Sequence, residues 1–280
     1  MFARMGSQVT VLQRSERILP DETPDLTDAL TGYLREEGLE IVPGVKLHRA
    51  TQEGGQVVVE TGVNGAAQTF RAQRILVATG RAYNTENLGL ECAGVKLNSN
   101  GSIKVNETLE TSAAGIYAAG DVLGENMFVY SAGYEGALAV ENAFYGAKRK
   151  RDYTALPWVI FTDPQVAGIG LDEKQAEGQG IDVDAATLPL SHVPRSLAAR
   201  DTRGFIKLIR NRQTDRLLGA RILAPEGSEL LMEVALAIKF NITVRELTSC
   251  FHPYLTLSEG IKLAALAFDK DIGKLSCCAA

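Results

Sequence analysis

Two cysteines, Cys277 and Cys278, stand side by side near the end of this 280-residue chain, after the polar run Asp269-Lys270-Asp271-Ile272-Gly273-Lys274 and before two alanines. Structural cysteines sit within apolar runs, whereas a polar terminus frays unless something ties it down. A disulfide between neighbours is awkward, because consecutive α-carbons lie ~3.8 Å apart while ordinary bridges want roughly 4.4–6.8 Å. A soft metal ion fits more easily: with metal–sulfur bonds of ~2.3 Å, two sulfurs stand up to ~4.6 Å apart around it. The pair therefore reads as a thiophilic-metal or redox site. Cys92 and Cys250 are isolated in the sequence and are expected to be buried, inert thiols.

Two further segments carry chemistry. Thr111-Ser112-Ala113-Ala114-Gly115-Ile116-Tyr117-Ala118-Ala119-Gly120-Asp121 contains a buried strand, expected from Gly115 and ending in Gly120-Asp121. Gly120 lets a ligand approach the backbone, and the Asp121 carboxylate can accept hydrogen bonds from sugar-like hydroxyls. The same dipeptide also ends ordinary strands, with the aspartate capping a turn. Ile75-Leu76-Val77-Ala78-Thr79-Gly80 is a second buried strand ending in glycine, and both ends fall where open α/β sheets bind ligands. Towards the C-terminus, His252-Pro253-Tyr254-Leu255-Thr256 places an imidazole and a phenol close together. His252 is a general acid–base or a packed interface histidine, and Glu259 sits too late in the chain to be assigned as its orienter. His48 and His192 have no partner motif and read as surface or loop residues.

The elements that must position these residues are legible from periodicity. Gln8-Val9-Thr10-Val11-Leu12 is a short strand, residues 25–34 form an amphipathic helix with Pro24 in its first turn and Gly38 as its stop, and Leu39-Glu40-Ile41-Val42 completes a strand–helix–strand crossover. No strand and glycine-rich turn precede Phe2, so the chain is expected to begin inside a nucleotide-binding domain. Period-two runs over 45–50, 56–61 and 68–71, with turn signals at Gly54-Gly55 and Asn64-Gly65, predict an antiparallel insert. A helix is expected from about 131 to 145. Past Pro157, strands are expected at 159–161, 167–170, 205–209 and 217–222, then helices at 228–240, 243–248 and 256–268. That order suggests α+β. The fold class is α/β, with incomplete doubly wound nucleotide-binding domains followed by an α+β dimerisation domain. The expected boundaries are 1–82, 83–150 and 151–280.

Composition narrows the partners. With 45% hydrophobic and 22% charged residues the chain can bury a sizeable core, and its net charge of −5 argues against nucleic acid. The basic run Lys148-Arg149-Lys150-Arg151 is short enough to be a solvated loop. Neither a signal-peptide pattern nor an 18-residue apolar window is visible, so no membrane partner is expected. Four cysteines without disulfide-like spacing suit a reducing cytoplasm.

The segment 111–121 resembles the second flavin-binding motif of the FAD-dependent pyridine-nucleotide disulfide oxidoreductases. The resemblance implies that Asp121 beside Gly120 holds the ribityl chain and that the helix opening at Ser131-Ala132-Gly133 points its N-terminus at the flavin. Ile75 to Arg81 resembles the passage out of the family's pyridine-nucleotide domain through Gly80. Val9-Thr10-Val11-Leu12-Gln13-Arg14 resembles the strand that meets the adenosine ribose; Arg14, with Arg17 three residues on, stands where NAD enzymes place an acid, which favours NADPH.

Phe161-Thr162-Asp163-Pro164-Gln165-Val166-Ala167, Asp201-Thr202-Arg203-Gly204, Pro253-Tyr254-Leu255-Thr256 and Leu275-Ser276-Cys277-Cys278 resemble the mercuric ion reductases within that family. That resemblance implies a cytoplasmic homodimer that runs electrons from NADPH through FAD and a redox cysteine pair to Hg(II). Cys277 and Cys278 would capture Hg(II) as substrate and pass it to the partner subunit, with Tyr254 assisting. The alternatives are a dihydrolipoamide- or glutathione-type disulfide reductase, or a non-enzymatic dimerising metal-binding fragment. The 280 residues contain neither a Cys-x4-Cys pair nor the glycine fingerprints the family needs, so this chain by itself is expected not to turn over.

Overall fold

A computed structural model describes residues 1–274, so Cys277 and Cys278 lie outside the described residues. The chain divides into two compact units: Met1–Ile75 together with the residues from Thr154 onward, and Leu76–Tyr153 between them.

In the first unit, β1 (Thr10–Leu12) and β2 (Glu40–Val42) pair in parallel, Val11 opposite Ile41, across the crossover helix α1 (Pro24–Glu36). Pro24 occupies the first turn, Asp25 lies beside the positive helix end, and Gly38 at φ +87° takes the chain out, as the sequence predicts. Three strands, β3 (Val45–Glu53), β4 (Gln56–Val63) and β5 (Ala66–Ala72), form the expected antiparallel insert, turning at Gly54-Gly55 and Asn64-Gly65.

The larger sheet of this unit is fully antiparallel. Its strands are β6 (Pro157–Ile160), β7 (Gln165–Gly170), β8 (Val183–Pro189), β9 (Phe205–Asn211) and β10 (Leu217–Ala224), arranged β6-β7-β10-β9-β8. Leu26 and Leu30 of α1 pack on Val166, Phe205 and Leu223 of this sheet. A second core joins Ile169, Ile206, Leu208, Ala220 and Ile222 to the helices α5 (Leu231–Lys239), α6 (Val244–Ser249) and α7 (Glu259–Leu266). Two short helices, α3 (Glu173–Gly178) and α4 (Pro194–Ala199), complete the unit. Neither they nor β8 were expected. β8 buries alternate residues, Ala186 and Leu188, but its alanines and aspartate are poor strand formers, which hides the period.

The α1 face of the large sheet also buries charge. Arg221 of β10 donates to Glu22 at 2.9 Å and to the carbonyls of Ala220 and Ile169 at 2.9 and 3.2 Å, with Trp158 beside its guanidinium. Lys207 of β9 reaches Asp25 at 2.7 Å and Glu173 at 2.9 Å. Near Gly204 the packing leaves no room for a side chain: a Cβ there would stand 1.8 Å from the Leu223 carbonyl, and φ is +106°.

The second unit contains α2 (Val129–Tyr145), close to its expected span, but the two strands expected around it do not form. Ile75, Leu76 and Val77 are 50, 77 and 70% exposed and belong to no strand. A strand needs a neighbour for its backbone groups, and no described segment hydrogen-bonds along 74–80. Residues 115–118 fold back on 109–111 instead: the Thr111 amide donates to the Ile116 carbonyl at 2.8 Å and the Ala118 amide to the Leu109 carbonyl at 3.1 Å.

Candidate functional site

Within the second unit, the turn at 119–124 and the start of α2 make the best-formed site. Ala119 is extended, Gly120–Leu123 forms a single 3-10 turn, and Gly124 leaves it in the left-handed region. Gly120 has φ +81°, and a Cβ there would approach that of Ala132 to 3.2 Å. Glycine is therefore favoured on conformational grounds, and a side chain there would also press on Ala132. No side chain caps α2, whose N-cap residue is Phe128, and the buried Ser131 hydroxyl has no hydrogen-bond partner among the described residues. An uncapped helix start beside an orphaned buried hydroxyl fits an anionic, hydrogen-bonding ligand. These residues suit a flavin: Gly120 for close approach, Ser131 as donor or acceptor, and the α2 N-terminus for negative charge.

Asp121 and Arg81 meet at this turn. Arg81 Nη1 stands 3.0 Å from the carboxylate, one residue beyond Gly80, and both side chains are exposed. Gly80, at φ +119°, ends the extended segment expected as a strand. Asp121 keeps acceptor capacity on its second oxygen, so the pairing leaves it able to bind hydroxyls.

In the first unit, Arg14 and Arg17 lie on the exposed loop after β1. Arg17 is already answered by Asp28 of α1 at 3.0 Å, whereas Arg14 has no ion-pair or hydrogen-bond partner among the described residues. Arg14 is therefore the freer guanidinium for a phosphate. A cavity of about 410 Å³ adjoins this loop, lined by Glu16, Arg17, Asp28, Thr31 and Arg35 among others.

Tyr254 and His252 sit on the loop between α6 and α7. His252 is nearly buried, and its Nε2 lies 2.6 Å from Glu233 of α5, while Nδ1 faces the Cys250 carbonyl at 3.3 Å. Lys262 of α7 donates to that same carbonyl at 3.0 Å. The loop closes with the Thr256 hydroxyl donating to the Pro253 carbonyl at 2.8 Å, and Leu255 takes φ +67°. Tyr254 is exposed, and Phe251 on the same loop is fully so. Glu233 had no signal in the sequence: it lies nineteen positions before His252 and is brought to it only by the packing of α5.

Cys92 and Cys250 are exposed, not buried. Cys92 lies in the turn over 89–94, and Cys250 caps the end of α6 with its thiol donating to the Glu246 carbonyl at 3.5 Å. Among the described residues no cluster of three or more metal-ligating side chains occurs, and no helix is long and apolar enough to cross a membrane.

Comparison with known proteins agrees with the two kinds of domain. Residues 1–136 match "Pyridine nucleotide-disulphide oxidoreductase" and residues 156–265 match "Pyridine nucleotide-disulphide oxidoreductase, dimerisation domain". The chain belongs to the pyridine nucleotide-disulphide oxidoreductase family, a mixed α/β fold whose cofactors are a flavin and a pyridine nucleotide. Within it, the chain is 46% identical over 279 residues to mercuric reductase of Staphylococcus aureus and 45% identical over 278 residues to that of Shewanella putrefaciens. These alignments take in 100 and 99% of the chain but 51 and 49% of the two relatives, so the chain spans about half their length. Among solved structures, LpdA from Mycobacterium tuberculosis superimposes with a TM-score of 0.86 at 28% identity, over 94% of this chain and 57% of that one. The HOCl-induced flavoprotein disulfide reductase RclA from Escherichia coli, as its Cu(II) complex, gives 0.86 at 29%, over 94 and 59%.

Proposed function

We propose that this chain is the portion of an NADPH-dependent mercuric reductase that supports the flavin, meets the nicotinamide cofactor and forms the homodimer. Its parts are the remainder of the NADPH domain over 1–82, half of the flavin domain over 83–150 and the dimerisation domain from 151. The observation that carries this reading is the chain-long identity of 42–46% to mercuric reductases, joined with Pro253-Tyr254-Leu255-Thr256 and the Cys277-Cys278 pair.

The overall reaction takes two electrons from NADPH to Hg(II) and yields NADP+, a proton and elemental mercury. FAD, when bound, supplies two-electron exchange between nicotinamide and thiols. Binding, orientation and metal capture belong to the chain's own residues. Gly120 and Ser131 hold the flavin turn open to close approach, and the N-terminus of α2 stabilises negative charge there. Arg14 answers a ribose phosphate. Cys277 and Cys278 bind Hg(II) as thiolates, since soft sulfur outcompetes oxygen and nitrogen for a large polarisable cation, and two thiol protons are released. Tyr254 sits exposed on the loop that α5, α6 and α7 hold in place. The exposed stripe Met232, Leu236 and Phe240 along α5 supports a second copy as the partner, because it lies within the matched dimerisation domain.

The His252-Pro253 pair favours a second reading, a dihydrolipoamide- or glutathione-type disulfide reductase. A chain joined to the N-terminal half of the Staphylococcus aureus relative separates the two. Hg(II)-dependent NADPH oxidation that disappears in Cys277→Ser/Cys278→Ser is the expected result. Turnover of a disulfide substrate without any response to Hg(II) would replace the first reading by the second.

A further inference from the structure

The Gly120 turn is held from behind by a carboxylate that no motif marks. Glu135, on α2 one turn after Ala132, is 1% exposed. Its Oε2 accepts from the Gly120 amide at 2.6 Å and its Oε1 from the Tyr153 hydroxyl at 2.5 Å. Both neighbours are donors, so the ionised carboxyl, an acceptor at each oxygen, satisfies both at once. Burial first, and then this bond to Glu135, push the Tyr153 phenol well above its ordinary value.

Tyr153 is itself fixed. Arg151 lies over its ring at 5.7 Å and grips Glu125, just past the turn, through bonds of 2.8 and 3.1 Å. Tyr134 packs edge-on to it with centroids 6.1 Å apart, and the Tyr134 hydroxyl accepts from the Asp152 amide at 2.8 Å. The segment 151–153 is thus stitched to α2 and to the residues following Gly120.

We propose that Glu135 and Tyr153 are positioning residues for the Gly120 turn: the buried carboxylate clamps the turn's amide to the phenol of the segment following α2, and so sets the geometry the turn offers to a flavin. The link to flavin rests on the function proposed above; the clamp itself does not. A buried charged acceptor between two donors is costly to break on either side, because the group left behind has no water to turn to. Glu135→Gln keeps the shape but presents an amide group where one donor needs an acceptor. Tyr153→Phe keeps the ring and removes one donor.

The test follows amide hydrogen exchange at Gly120 and the ultraviolet titration of the Tyr153 phenol in the 280-residue chain, and fluorescence titration with FAD in the chain joined to the N-terminal half of the Staphylococcus aureus relative, which supplies the rest of the flavin domain. Sheet amides such as Ile206 and Leu208 serve as a control for folding. In Glu135→Gln the Gly120 amide should exchange ~10-fold faster, Tyr153 should ionise at lower pH, and FAD should bind ~10-fold more weakly, with the sheet amides unchanged. Tyr153→Phe should speed exchange at Gly120 by a smaller factor. Unchanged exchange at Gly120 in both variants overturns the clamp, and faster exchange with unaltered FAD affinity overturns its positioning role. If the unaltered joined chain binds no FAD while Glu135→Gln still speeds exchange, the flavin reading of the turn falls and the clamp stands.

Discussion

His252 and Glu233 face one another at 2.6 Å, the imidazole anchored on α5 by a carboxylate nineteen residues earlier in the chain. Both ring nitrogens point at acceptors, Nε2 at Glu233 and Nδ1 at the Cys250 carbonyl, so the ring pins the loop that carries Tyr254. Glu259, the next acid after His252 in the sequence, has a buried Oε2 with no partner among the described residues. A double-mutant cycle should therefore give a coupling of about 1–2 kcal/mol between His252→Ala and Glu233→Ala, and under about 0.5 kcal/mol between His252→Ala and Glu259→Ala. Urea unfolding reads both. A larger coupling to Glu259 would show that the imidazole is held from the α7 side.

Arg221 offers a prediction with a definite pH sign. Its guanidinium is buried against Glu22 and lies 3.6 Å from Asp172. Burial pushes the Glu22 carboxyl up, and Arg221 opposes that rise. Arg221→Met leaves two largely buried carboxylates without their cation, a loss of about 3–5 kcal/mol at pH 7. A carboxyl whose folded value is raised costs stability above that value and ceases to do so as the pH falls through it. The destabilisation should therefore shrink as the pH falls from 7 towards the ordinary carboxylate range, seen in urea midpoints. A loss that stays constant over that range would mean the carboxylates are not strained by the missing charge.

Acid should act in the opposite sense on the ionic cluster at the N-terminus. Arg4 bridges Glu37 and Asp163, and Arg203 joins Glu37 at 3.1 Å, Asp163 at 2.9 Å and Asp201 at 2.6 Å. Hydrogen bonds from Arg4 hold the carboxyls of Glu37 and Asp163 below their usual range, and Arg203 does the same for Asp201. Depressed carboxyls stabilise the fold fully above their ordinary value, about pH 4, and lose that contribution as the pH falls through the lowered values. Arg4→Ala should lower stability at pH 7 only slightly, since its side chain is exposed, and should flatten the fall in stability below about pH 4 by that same small amount. An identical acid slope in the variant would remove Arg4 from the cluster's energetics.

The elements with strong local periodicity were legible in the sequence: α1 with Pro24 and Gly38, the insert turning at Asn64-Gly65, and α2. The strand–helix–strand crossover of β1, α1 and β2 followed from their order, while its register, Val11 opposite Ile41, came only with the structure. Ile75 to Gly80 read as a strand because its apolar run is that of a buried parallel strand, yet hydrophobic pattern specifies only a preference, and the hydrogen-bonding neighbour is a tertiary fact. The site divides in the same way. Gly120, Asp121 and Ala132 carried a motif, whereas Glu135, Tyr153 and Glu233 act through contacts made across 15, 18 and 19 residues, where no local spacing rule operates. Glu135 had one faint signal, a carboxylate three residues past Ala132 on the apolar face of an alanine-rich helix. The exposure of Cys92 and Cys250 was missed because an isolated thiol among mixed neighbours says little about the wall around it.

That exposure also shapes the most direct test. Four thiols are present; Cys92 and Cys250 are each exposed and isolated in the sequence, whereas Cys277 and Cys278 are adjacent in it and together can offer two sulfurs to one ion. Hg(II) affinity should be measured by competition with a small dithiol on the reduced 280-residue chain, on Cys277→Ser/Cys278→Ser and on Cys92→Ser/Cys250→Ser. Loss of at least ~100-fold in affinity in the tail variant, with the Cys92/Cys250 variant indistinguishable from the unaltered chain, is the predicted result. Equal affinity in the tail variant and the unaltered chain would contradict capture of Hg(II) by Cys277 and Cys278.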